Sequence, residues 1–132
     1  MGGFTISKGF DTALGLKAGD TELIRLILED DNGAVVDLTS GYTGTLGIKR
    51  KVSDTSFIIP EIAVVFHSIE RGYTLEVVMD SADTLEALNY QDKERESVKH
   101  HYDIEVYDTF NDVRTTVLMG DMNISRSIAG VV

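Results

Sequence analysis

The chain has 132 residues, 42% of them hydrophobic and 26% charged, with 12 basic side chains against 22 acidic ones and no cysteine. A length in this range supports one hydrophobic core without staples, and the lack of cysteine removes disulfides, thiolate zinc sites and thiol nucleophiles together. The net charge of −10 opposes phosphate backbones, which are bound largely by Lys and Arg, so nucleic acid is not an expected partner.

No stretch approaches the roughly 20 apolar residues of a membrane span, and "MGGFTISKGFDTALG" lacks the basic start and apolar run of a secretory signal. Neither membrane insertion nor export is therefore expected. Met1-Gly2 opens like a myristoylation site, but Ile6 stands where Ser or Thr is needed. Residues 1–19 have too little periodicity to place and are read as an N-terminal arm that packs on the domain or reaches a neighbour.

From residue 20 the pattern becomes that of a sheet. Ile24, Leu26 and Leu28 fall on one face of a strand and Leu23, Arg25 and Ile27 on the other. Asp31, Asn32 and Gly33 then suit a tight hairpin before Val35, Val36 and Leu38. Tyr42, Gly44, Leu46 and Ile48 alternate with Thr43, Thr45, Gly47 and Lys49, predicting a half-exposed strand. In "FIIPEIAVVF", residues 57–66, Pro60 is the sole proline; it predicts an edge strand or a bend between two short strands. Tyr73, Leu75, Val77 and Met79 mark the next strand.

A short helix follows, with Ser81 as its cap, Asp83 and Glu86 in its first turns, and Ala82, Leu85 and Leu88 on the buried face. At about eight residues it must pack on the sheets to persist. Residues 90–99 are charged and read as a loop. Tyr102, Ile104 and Val106 then point one way, Asp108 to Asp112 turn, and Val113, Thr115, Val117 and Met119 return, with Gly120 as the expected bulge. Seven or so short strands and one helix predict a mainly β fold, an antiparallel two-sheet immunoglobulin-like sandwich over residues 20–128 with a tail at 129–132.

Chemistry-bearing patterns are sparse. His101 and Asp103 can share a strand face but His100 cannot join them, and two ligands make a poor metal site. His67 has no recognisable partner. "DDNG" at 30–33 resembles a fragment of a calcium loop, yet the first and twelfth positions would be Leu28 and Thr39. Gly41, Gly44 and Gly47 have the wrong spacing for a dinucleotide fingerprint; close sheet packing explains them better. No elbow surrounds a serine, Lys49-Arg50-Lys51 reads as a solvated strand end, and Asn123-Ile124-Ser125 reads as a chance sequon. The Tyr and Phe residues mostly occupy strand-face positions suited to core packing. The expectation is no enzyme, no catalytic, cofactor-binding or metal residues, and no cofactor.

Three segments, "DDNGAVVDLTSGYTGTLGIKR", "GYTLEVVMDSADTLEAL" and "YDIEVYDTFNDVRTTVLMGDMNISRSI", occur in an order that resembles the small domains of tailed-bacteriophage baseplate and tail-tip proteins. The group includes the N-terminal domain of lactococcal upper baseplate proteins and the tail-tip collar proteins of T5-like siphophages. The matching positions are Val36-Asp37-Leu38-Thr39, Ala82-Asp83-Thr84-Leu85, Tyr102-Asp103-Ile104-Glu105-Val106, Gly120 and Arg126. Departures are Ser40 where the pattern has Gly, the turn Phe110-Asn111-Asp112, and a longer, more charged stretch at 89–101. The resemblance implies a virion structural protein of the phage tail, made in the host cytoplasm. It would be a non-catalytic adaptor that forms a homo-oligomeric ring with other tail or baseplate proteins and attaches fibres or receptor-binding proteins. Two competing expectations are a carbohydrate- or peptide-binding sandwich module, marked by an exposed aromatic cluster with nearby amides, and a small hydrolase, marked by a deep pocket with a perturbed carboxylate.

Overall fold

The alternating segments build two sheets, seen in a computed structural model that describes residues 10–11, 14–30, 32–50, 53–54, 56–58, 61–89 and 97–126. The strands are β1 (Phe10–Asp11), β2 (Leu14–Lys17), β3 (Glu22–Leu26), β4 (Tyr42–Lys49), β5 (Ile62–Ala63), β6 (Val65–Phe66), β7 (Leu75–Met79), β8 (Ser97–Asp108) and β9 (Val113–Ser125). One α-helix, α1, spans Ser81–Asn89. The larger sheet runs β1-β9-β8-β4-β5 with β2 also on β9, and the smaller runs β3-β7-β6. Pro60, the stretch 90–96, arm residues 1–9 and the tail 129–132 lie outside the described residues.

The expected antiparallel order holds for most pairings but not for all. Within the segment assigned to the arm, β1 and β2 run parallel to β9, with Leu14 opposite Met122 and Leu16 opposite Ile124. The larger sheet is therefore mixed. Leu14 and Leu16 do alternate with Gly15 and Lys17, yet four residues are too brief a run to stand out. A parallel partner also needs a long crossover, here everything between β2 and β9.

Side-chain alternation sorts the core as the period of two requires. Ile24 and Leu28 are buried while Leu23 and Ile27 are exposed; Leu46 and Ile48, Leu75, Val77 and Met79, and Tyr102, Ile104 and Val106 are buried as well. Together with Leu38, Leu88, Met122 and Ile124 they form one core shared by both sheets and α1. The turn after β3 closes through Gly33 N to Asp30 O (3.0 Å) and Val36 N to Leu28 O (2.9 Å), with Gly33 at φ 83°. The bend between two short strands falls at Val64: β5 pairs with β4 in the larger sheet and β6 with β7 in the smaller. The chain thus changes sheets in one residue.

Three local expectations are corrected. Asp80, not Ser81, caps α1, accepting Asp83 N at 2.9 Å while Asp83 Oδ2 accepts Asp80 N at 3.3 Å, a reciprocal cap. The buried helix face is Thr84, Ala87 and Leu88, with Ala82 exposed. It is rotated from the expected face because the Thr84 hydroxyl is satisfied inside, by Asp20 O (2.8 Å) and Gly19 N (3.0 Å). Residues 97–99 begin β8 rather than extend a loop.

The bulge in β9 lies at Val117, not Gly120. Ile104 faces Leu118 while Glu105 faces Thr116, so Val117 is the extra residue. The slip changes the phase of the strand: Val117 and Leu118 are both buried, and Met119, expected to continue the inward set, is 46% exposed.

Candidate functional site

The β8–β9 turn gathers most of the unusual geometry. Asp108 Oδ1 accepts Phe110 N (3.0 Å) and Asn111 N (3.1 Å), and Asp108 Oδ2 accepts Asn111 Nδ2 (2.8 Å). These bonds, the Asn111 side chain first, hold the Asp108 carboxyl below its usual range. Thr109 donates both its backbone N and its hydroxyl to Gly41 O, each at 2.9 Å. Tyr107 donates its hydroxyl to Asp112 Oδ1 (2.8 Å), which raises the phenol pKa. Asp112 itself adopts φ 54°, a left-handed conformation that Asp tolerates better than most residues.

At the centre of this braced turn stands Phe110, 79% exposed. Its Cδ2–Cε2 edge occupies the space where a Cβ on residue 41 would lie, and Gly41 has φ 83°. Glycine is required there twice over, by the backbone and by the ring. Phe110 is thus neither on a strand face nor in the core, contrary to the general expectation for the aromatics. The available signal was an aromatic inside the polar turn "DTFND".

A second feature lies on the outer face of the larger sheet. A shallow recess of about 90 Å³ is lined by Gly47, Lys49, Phe57, His101, Tyr102, Asp103 and Met119. Phe57 covers Gly47, and Lys49 Nζ sits 5.0 Å from the Phe57 ring centroid. Burial, then the charge of Glu105, pushes the Asp103 carboxyl above its usual pKa, with Lys49 opposing. His101 Nδ1 lies 3.2 Å from Asp121 Oδ1, and Lys99 Nζ 3.8 Å from Asp121 Oδ2.

His101 and Asp103 do share this face, as strand parity requires. His100 points into the core, where Nε2 meets Ala87 O at 2.9 Å and burial lowers its pKa. Among the described residues no cluster of three His, Cys, Asp or Glu could hold a metal ion. At the "DDNG" turn, Asp30 Oδ1 accepts Asn32 N (2.8 Å) and Ala34 N (3.0 Å), so its carboxylate braces the turn.

The outer face of the smaller sheet carries a polar knot. Glu76 accepts Arg25 Nε at 2.8 Å and lies 3.2 Å from His67 Nε2; Arg25 stacks 4.6 Å over Tyr73, whose ring meets His67 edge-on. Arg25 holds the Glu76 carboxyl below its usual range. The exposed Leu23 and Val78 pair across the strands beside it. His67 therefore has a partner that sequence spacing could not reveal, since Glu76 meets it only through chain reversal.

The described surface thus carries an exposed aromatic on a hydrogen-bonded turn, one ring edge against Gly41, and a recess with Lys49, His101 and Asp103 among its walls. No helix among the described residues is long and apolar enough to cross a membrane. Comparison with protein-family models and with curated proteins gave no match.

Proposed function

We propose that this chain is a virion structural protein of a phage tail tip or baseplate. In this reading it is a non-catalytic adaptor that assembles around the tail and attaches fibres or receptor-binding proteins, on a sandwich of the immunoglobulin-like kind. The sequence segments that resemble tail proteins supply the identity. The observation that carries the contact role is Phe110, since a large aromatic 79% exposed on a turn braced by its own hydrogen bonds is pre-ordered for a partner. Two sheets joined through one core provide the rigid block that such an adaptor needs.

A second reading, a carbohydrate- or peptide-binding module, draws on the same turn, because Asn111 places an amide beside Phe110. The Asn111 Nδ2 group already donates to Asp108, which leaves less of that amide for a sugar. Labelled antibody against the protein should decorate intact phage particles at the tail tip. Particles without label at the tail, together with glycan binding by the purified protein, would reverse the order of the two readings.

A further inference from the structure

We propose that Asn32-Gly33, in the turn after β3, is a self-modification site at which Asn32 converts to isoaspartate or aspartate, and that Asp30 sets the pace by holding the attacking nitrogen in the closed turn. The chemistry belongs to the turn itself and operates whether or not the chain is a tail adaptor.

Asparagine is thermolabile because its amide carbon is open to attack by the next backbone nitrogen. Of the four asparagines, at 32, 89, 111 and 123, only Asn32 precedes glycine. Asn32, Gly33 and Ala34 are exposed, and beyond its chain neighbours no heavy atom lies within 4 Å of where a Cβ on residue 33 would stand. Asn123, by contrast, is held between two strands, opposite Gly15 and Lys99. Gly33 N, once deprotonated, attacks Asn32 Cγ. The new N–C bond closes a succinimide as the Cγ–Nδ2 bond breaks, and Nδ2 leaves as ammonia, with water returning the proton taken from Gly33. Water then opens the ring: cleavage between Gly33 N and Cγ gives aspartate, and cleavage at the backbone carbonyl gives isoaspartate. Either product carries a carboxylate in place of a neutral amide, and only water is consumed.

Asp30 is placed to hold this reaction back. Gly33 N donates to Asp30 O at 3.0 Å, so the nucleophile is already engaged. Asn32 N and Ala34 N donate to Asp30 Oδ1 at 2.8 and 3.0 Å, and Asp30 N donates to Ala34 O at 2.8 Å. The carboxylate therefore grips the amides on either side of Gly33, where its charge disfavours an anionic nitrogen. Attack has to pass through an opened turn that releases Gly33 N, and the same opening exposes that amide to hydrogen exchange.

The full chain incubated at mildly alkaline pH, with peptide mapping that separates aspartate from isoaspartate, tests both parts. Asn32 should convert before any other asparagine. Its rate in the folded chain should be about ten-fold or more below that in denaturing urea, the worth of a net hydrogen bond. The retardation should match the exchange protection of the Gly33 amide within about three-fold, because both wait on one opening. Asp30→Ala should speed conversion by about ten-fold while the β8 core amides keep their protection, and Asp30→Asn, which retains an oxygen acceptor, should fall between the two. Should Asp30→Ala fail to fold, the exchange comparison on the wild type stands by itself. Conversion first at another asparagine, or none at Asn32 in urea, overturns the site. A folded-state rate equal to that in urea, a retardation that departs from the Gly33 protection, or equal rates in wild type and Asp30→Ala overturns the control by Asp30.

Discussion

Thr84→Val isolates what fastens the segment before β3 to the helix. The side chain is fully buried and its hydroxyl joins Asp20 O at 2.8 Å and Gly19 N at 3.0 Å. Valine keeps the shape and deletes these bonds together with the longer one to Ser81 O at 3.3 Å. A buried group left unmatched costs about 1–3 kcal/mol, but Asp20 is exposed and water can reach its carbonyl. The sum is therefore about 2 kcal/mol. Thr84→Ser keeps the hydroxyl and loses one buried methyl, about 1 kcal/mol. In urea, with m of about 1.5 kcal/mol/M, the midpoint should fall by about 1.3 M for valine and about 0.7 M for serine, at unchanged m. A valine variant as stable as the serine variant would refute the assignment of the tether to the hydroxyl.

Further outcomes follow from the same geometry. Burial holds the folded-state pKa of His100 below the ordinary value. Between that value and about 6.5 the unfolded chain binds more protons, so stability is flat above this window and falls as pH drops through it. His100→Gln should remove that share of the slope when urea midpoints are compared from about pH 8 to about pH 5; the raised carboxyls of Asp83 and Asp103 act in the opposite sense and cancel in the comparison. Gly41→Ala meets both a left-handed backbone and the Phe110 ring; it should lower thermal stability by at least about 1–2 kcal/mol and shift the Phe110 resonances, and unchanged resonances would contradict the packing. Asp108→Ala removes the acceptor of three bonds, so the Phe110 and Asn111 amides should lose hydrogen-exchange protection while the β8 core amides keep theirs.

Strand faces were legible in the sequence wherever one side is deeply buried. Leu75, Val77 and Met79, or Tyr102, Ile104 and Val106, alternate strongly enough to assign their inner face without coordinates. Legibility failed where a tertiary partner changed the local rule. Thr84 reads as a polar, outward residue until Asp20 and Gly19 satisfy it. Val117 reads as the next inward residue of a regular strand, and only pairing with β8 shows that Leu118 is inward too. The recess was half visible: parity put His101 with Asp103, but Lys49, Phe57 and Met119 come from other segments. Phe110 was visible as a turn residue, whereas its brace to Gly41 depends on chain segments distant in sequence.

The parallel seam of β2 on β9 bears on how the molecule is made. As the chain leaves the ribosome, Leu14–Lys17 has no strand to join until a partner about a hundred residues later has been synthesised, a long wait for a non-local pairing. β1 and β2 therefore join the larger sheet only when β9, the last of the named strands, is in place. A chain cut short within β9 would strand β2 and, with the loss of Met122 and Ile124, open the core at the same stroke.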